Sequence, residues 1–358
     1  MSAAAPSPDG VWSAEGTTPV EIEAALRRLL EERHRESKAY SPARVLNLVV
    51  VVDHTWRGDV VGRLERIGRL HPSRAIVCAV GENRESLGAW ATMACDVPEQ
   101  PGAIALCRER VELEVGPRHL ARLDSVVRPL LVRDLGTLIW SPHHHPDAVD
   151  ALAGLGDSVL LDSSDAPELD AALARADELG GHLEVVDLAW LRAKPWRERI
   201  AATFDPPAWR QSLGRLASVS VRHHPGSAAS GLLLLGWLAA RLGWESSGLQ
   251  VSGEATRRGS ARSGSGDVEL RLEPAPEQAA PGLAGVRLET HRGARLSLDR
   301  APGGLRAVRT GAKGRQSSWV VLGASRGEEG ILGAAIREAL LRQTLFGPAL
   351  RHARAMLA

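Results

Sequence analysis

The sequence predicts an α/β N-terminal domain, a mixed and mostly parallel sheet with flanking helices, followed by an α+β C-terminal domain of helices plus an antiparallel sheet. Three observations lead there. A chain of 358 residues exceeds what one hydrophobic core comfortably holds. Up to about residue 180, short apolar runs alternate with amphipathic stretches, the rhythm of parallel strands joined by helices. Beyond Asp187 the rhythm changes to a run of helices and then a run of strands, which is the α+β order. The expected organisation is a tail and helix over 1–40, an α/β domain over 41–182 and an α+β domain over 183–358, with the boundary at Gly180-Gly181.

Met1–Gly10, rich in Ala, Ser and Pro, reads as a fraying terminus without the basic-then-apolar order of a signal peptide. Thr18-Pro19-Val20-Glu21 matches a capping box with Pro at the first helical position, and Ile22, Leu26, Leu29 and Leu30 recur on one face, so a helix is expected over 19–38. Arg44–Val52 (RVLNLVVVV) ends in Asp53-His54; an amphipathic stretch, 56–70, and a second apolar run, Ala75–Val80, follow. That is a parallel strand pair buried on both faces. Leu87–Val97 and Ile104–Val115 read as a hairpin at the sheet edge, turning at Pro98–Gly102. Helices near 117–130, 146–153 and 167–179 alternate with strands at Thr137–Trp140 and Ser158–Leu161. Helices near 187–203, 206–214 and 227–242 come next, then short strands over 248–322 and two closing helices. Gly253–Gly266 (GEATRRGSARSGSG) lacks periodicity and is expected to be a mobile loop.

Apolar residues at 44%, charged residues at 24% and a net charge of +1 describe a folded chain with no global field for nucleic acid or an anionic membrane. Gly231–Ala240 (GLLLLGWLAA) is about half the roughly 20 residues needed to cross a bilayer, so it reads as a buried helix. Cys78, Cys95 and Cys107 are odd in number and widely spaced, indicating neither a disulfide framework nor a zinc ribbon, and the cytoplasm is the expected compartment.

Asp53-His54 closes a strand where open α/β sheets place ligands, but no G-x-G-x-x-G turn follows. Gly264-Ser265-Gly266 precedes a strand, the wrong order for a phosphate cradle. His143-His144-His145 reads as a solvated, Pro-flanked loop, since adjacent side chains diverge and no downstream ligand has metal spacing. Ser73 near His71 lacks a nucleophile elbow. No catalytic residue, cofactor or metal is therefore expected. The Arg-rich stretch from Arg257 to Arg326 has no nucleic-acid-binding module beside it and reads as a solvated face or a site for an acidic protein. Ten Trp stand against two Phe and one Tyr, and large amphipathic rings serve both cores and interfaces. Asp187–Arg197, where Trp190 and Trp196 alternate with Arg192, Lys194 and Arg197, is the segment richest in interface-type residues.

Five segments carry a family resemblance: Arg44–Val52; R-x-x-x-L-H-P-S-R-A-I from Arg66 to Ile76; R-P-L-L-V-R-D-L from Arg128 to Leu135, with I-W-S-P closing the next strand; D-L-A-W-L-R-A-K-P-W-R-E-R-I-A-A-T-F-D from Asp187 to Asp205; and Ser230–Trp244. In this order they resemble the OpcA family, the glucose-6-phosphate dehydrogenase assembly proteins of bacteria. The chain departs from the family pattern at Gly136 and Ser141, where the pattern has Pro and Trp. The resemblance implies a non-catalytic assembly partner and allosteric activator of glucose-6-phosphate dehydrogenase in the pentose phosphate pathway. On that basis Trp190, Arg192, Trp196 and Arg197 are candidate partner contacts, or else Trp190 and Trp196 lock the two domains together. His71, Ser73 and Arg74 mark a second contact or a ligand crevice, and Trp140 sits at the corner where the pattern departs. The competing expectation is a small-molecule sensor or enzyme that uses the crevice around Asp53, His54 and His71, with a sugar phosphate on Arg74.

Overall fold

The computed structural model describes residues 10–36, 38, 40–68, 71–96, 105–253, 255–322, 327–341 and 344–358. The expected turn at Pro98–Gly102 and the expected terminal tail up to Asp9 lie outside them. The chain forms two compact units, 1–161 and 162–358.

In the N-terminal unit, β1 (Gly10–Glu15), α1 (Pro19–Glu36), β2 (Tyr40–Pro42), β3 (Leu46–Asp53), α2 (Arg57–Gly68), β4 (Ser73–Val80), β5 (Gly88–Cys95) and β6 (Ala105–Val115) come first. The helices α3 (Pro117–Leu120) and α4 (Leu123–Val127), β7 (Thr137–Trp140), α5 (Pro146–Leu152) and β8 (Ser158–Leu161) complete it. The sheet order is β1-β5-β6-β4-β3-β7-β8, with β2 beside β6. The strands from β6 through β4, β3 and β7 to β8 run parallel. β3 and β4 are buried along nearly their whole length, which is why their sequences are continuous apolar runs. Helix α1 begins as expected: the Thr18 hydroxyl and backbone N–H both reach the Glu21 carboxylate, at 3.0 and 2.9 Å.

Three expectations are corrected in this unit. The β5–β6 hairpin is not the sheet edge, because β1 pairs antiparallel outside β5. Its alternation of half-buried and exposed residues spreads over only six positions and left too faint a period to read. Cys95 and Cys107 form a disulfide, since the hairpin register sets them directly opposite each other, a pairing that sequence spacing does not reveal. The argument for a reducing compartment from unpaired cysteines falls with it. The helix expected over 117–130 is the two short pieces α3 and α4.

The C-terminal unit contains α6 (Leu169–Leu179), β9 (Glu184–Asp187), α7 (Leu188–Arg192), α8 (Lys194–Phe204), α9 (Pro207–Leu213), β10 (Leu216–His223) and α10 (Ala228–Leu242). These are followed by β11 (Glu245–Ser246), β12 (Gln250–Ser252), β13 (Thr256–Ser263), β14 (Gly266–Pro274), β15 (Leu283–Thr290), β16 (Arg295–Ala301), β17 (Gly304–Thr310) and β18 (Gln316–Leu322). Helices α11 (Gly327–Leu341) and α12 (Phe346–Ala355) close the chain. The sheet order is β11-β13-β14-β10-β15-β16-β17-β18, with β12 beside β13, antiparallel except for the β10–β14 pair. The expected antiparallel α+β architecture is present, with two differences. β10, hidden among helices in the sequence, is a central strand of this sheet. The expected mobile loop 253–266 is largely β13, paired residue by residue with β14 from Arg257 to Ser263; its arginines mask the strand because one face is solvated.

Helix α10 is the GLLLLGWLAA segment, buried almost all round. It crosses α12 so closely that a Cβ on Gly236 would lie 2.2 Å from the Ala349 carbonyl oxygen, so only glycine fits there. Among the described residues no helix is long and apolar enough to cross a membrane.

Candidate functional site

The segment Asp187–Asp205 folds as two helices with a break at Ala193. Asp187 caps the first, accepting from the backbone N–H of Ala189 at 2.7 Å and of Trp190 at 3.3 Å, while the Ser163 hydroxyl donates to its other oxygen. Burial, with the nearby Asp162 charge, pushes the Asp187 carboxyl up to about 6 in spite of these bonds. Pro195 opens the second helix, at a position where its missing N–H costs nothing.

The break folds Arg197 back over Trp190. Its guanidinium carbon lies 3.2 Å from the ring centroid, and its Nη1 donates to the Trp190 carbonyl at 2.7 Å. Burial pushes Arg197 down to about 9, so it stays charged at neutral pH. Trp190 also packs edge-on against Phe346, centroid to centroid 5.8 Å. Trp190, Trp196 and Arg197 are only 4, 2 and 7% exposed, so they shape this surface from beneath. Arg192 and Lys194 are half-buried at its rim. Arg192 donates to Asp162 at 2.8 Å and to Glu328 at 2.7 Å, and Lys194 donates to Glu338 at 2.6 Å. Burial opposes the Arg192 charge, but its bonds to Glu328 and Asp162 outweigh that and raise it above the ordinary guanidinium range.

The remaining candidates lie in the N-terminal unit. Trp140 is buried in β7, and Ser73 and Arg74 are buried at the start of β4; His71, half-buried, precedes them. Arg74 donates to Glu109 at 2.8 Å, to Glu23 at 2.9 Å and to the Leu130 carbonyl at 3.0 Å, and Arg44 donates to the same Glu109 at 2.7 Å. Burial would raise the Glu109 carboxyl, yet the two guanidinium groups hold it below the ordinary range. Arg74 is thus committed to a buried ion network.

β3 lies between β4 and β7, so its C-terminal end is the point where strand order reverses, the usual ligand position in open α/β sheets. Here Asp53 meets His145 at 3.0 Å, and the Trp56 ring packs 5.7 Å from His143. The triple-histidine segment is a turn in which His144 is exposed while His143 and His145 are half-buried against the strand ends; burial lowers the pKa of His143 against the pull of Asp53.

One cluster escaped the sequence reading. The Arg309 guanidinium lies 4.5 Å from the Trp209 ring centroid and 5.7 Å from that of Trp319, and all three side chains are half-buried. They come from α9, β17 and β18, so no sequence window contains them. The composition of the 304–322 hairpin was the available signal: Arg306, Arg309, Lys313 and Arg315 without a single acid.

Two family models match the chain, described as the N-terminal and the C-terminal domains of a glucose-6-phosphate dehydrogenase subunit; the first matches residues 64–178 and the second 183–350. The chain belongs to the OpcA family. Similar curated proteins include the putative OxPP cycle protein OpcA of Synechocystis sp., 28% identical over 238 residues that cover 65% of this chain and 49% of that protein. The Nostoc punctiforme protein of the same description is 29% identical over 187 residues, covering 51% and 40%. The chain thus spans about half the length of the curated OpcA relatives it matches. Similar solved structures include a Clostridium difficile dehydrogenase, with 10% identity, 87% of this chain and 97% of that one covered, and a TM-score of 0.42. A Lactobacillus casei scyllo-inositol dehydrogenase has 11% identity, 88 and 96% coverage and a TM-score of 0.42.

Proposed function

We propose that this OpcA-family chain is a non-catalytic assembly and activating partner of glucose-6-phosphate dehydrogenase, acting in the cytoplasm on the oxidative pentose phosphate pathway. The observation that carries the reading is that two family models named for that dehydrogenase cover 64–178 and 183–350. The N-terminal unit supports it: the Asp53 carboxylate faces His145 at 3.0 Å where an open sheet would seat a ligand, and Arg74 is consumed by Glu109 and Glu23.

The contact surface in this reading lies on the C-terminal unit. Trp209, Arg309 and Trp319 supply half-buried aromatic and guanidinium anchors of the kind that dominate binding energy. Arg192 and Lys194 line a second stretch, supported from below by Trp190, Trp196 and Arg197; His71 is the accessible member of the N-terminal set. The hairpin's uncompensated positive charge suits an acidic face on the dehydrogenase. Activation requires only that the active oligomer bind more tightly than the inactive one, and a tenfold population shift takes about 1.4 kcal/mol.

The test is to mix the purified chain with its cognate dehydrogenase and follow both activity and mass by light scattering. A heavier complex with raised activity is expected. Absence of association together with unchanged activity would overturn the reading.

A further inference from the structure

Within the C-terminal unit, α7 and α8, the β16–β17 turn and the start of α11 enclose a cavity of about 370 Å³, a size typical of small-ligand sites. Leu191, Trp196, Leu305 and Ile331 give it apolar walls, and three cations, Arg192, Lys194 and Arg300, reach it. Two of these are neutralised: Arg192 by Asp162 and Glu328, Lys194 by Glu338. Arg300 differs. It donates only to main-chain carbonyls, those of Leu283 at 3.1 and 3.2 Å and Pro281 at 3.2 Å, and among the described residues no carboxylate is recorded within ion-pair distance of it. Burial disfavours its charge, and no ion pair offsets the cost. A partly desolvated guanidinium without a counter-ion at an apolar cavity is a built anion position.

We propose that this cavity binds a small amphipathic monoanion, a carboxylate on an apolar body, with the carboxylate on Arg300 and the body against Leu191, Trp196, Leu305 and Ile331. One unneutralised cation matches one negative charge. Glu198 in the wall disfavours the second charge of a phosphate monoester, and the apolar walls offer a sugar's hydroxyls few partners. The site belongs to the isolated chain and does not depend on association with the dehydrogenase.

The test is isothermal titration of the full chain with octanoate, 1-octanol and octylammonium, repeated on Arg300→Gln and on Ala301→Trp. The second variant enlarges a lining residue that takes no part in the Arg300 bonds to Leu283 and Pro281, so it decides the matter if Arg300→Gln does not fold. Octanoate is expected to bind at a single saturable site, with octanol and octylammonium each at least about tenfold weaker. Arg300→Gln should weaken octanoate by at least about tenfold, and Ala301→Trp should abolish binding while leaving the melting temperature of the free protein nearly unchanged. The proposal is overturned by no octanoate binding up to about 10 mM, by equal affinity for octanoate and octanol, or by unaltered octanoate binding in Ala301→Trp.

Discussion

Two tryptophan–arginine contacts in the C-terminal unit have the same chemistry and opposite settings. Trp190 and Arg197 are sealed inside, with Phe346 edge-on to the same indole, whereas Arg309 lies within cation–π reach of both Trp209 and Trp319 with all three half-buried. Residue type alone would nominate both as partner anchors. Burial separates them: a sealed ring has already spent its apolar surface on the fold, while a half-buried one still has surface to lose to a partner. The first contact should therefore report on stability and the second on association.

The strongest way to break this contrast is Trp196→Ala. Emptying so large and so buried a side chain should cost about 4 kcal/mol, seen as a lower urea midpoint, with any loss of dehydrogenase binding tracking the unfolded fraction. If the variant keeps full stability yet loses binding, the buried segment is a contact after all.

Next in size is the pH response of the cap beneath Trp190. Asp187 has a folded pKa raised to about 6 from its ordinary value of 3.8, so the folded state holds its proton more tightly than the unfolded chain does. Its contribution is fully present below the unfolded value and is lost as pH rises through about 6, a change of about 3 kcal/mol. Denaturant melts of wild type and Asp187→Asn should diverge in that window and run parallel outside it. Parallel curves throughout would show that the carboxyl is not the titrating group.

Arg309→Ala sharpens the other side. Stability should move by less than about 1 kcal/mol, because the side chain is half-buried and lacks a buried partner, while affinity for the dehydrogenase falls at least about tenfold, measurable by titration in biolayer interferometry. Unchanged affinity in both Arg309→Ala and Trp319→Ala would remove this cluster from the interface. The smallest effect belongs to Glu328→Gln at the rim, where the carboxylate is half exposed to water and its pair with Arg192 is worth under about 1 kcal/mol; a melting shift larger than a few degrees would mean that the rim is structural.

How much of this was legible in advance follows from where the signal resides. Buried parallel strands announce themselves as apolar runs, so β3, β4, β7 and β8 were readable, as was α1 from its capping box. Strands β1, β10 and β13 were not, since half-solvated or helix-flanked strands carry their period over few residues and their arginines imitate a loop. The Asp187–Asp205 segment stood out through its Trp and Arg spacing, but whether those rings face in or out is not a property of spacing. The Cys95–Cys107 bond and the Trp209–Arg309–Trp319 cluster depend on strand register and on three separate elements meeting.

The sequence by itself determined the class of each half, the order of most elements and the family, because periodicity, caps and motif order are local to the chain. Only the tertiary structure decided which tryptophans are sealed, which cysteines pair and which arginine faces a cavity without a counter-charge, because burial and partner choice are set by residues far apart in sequence.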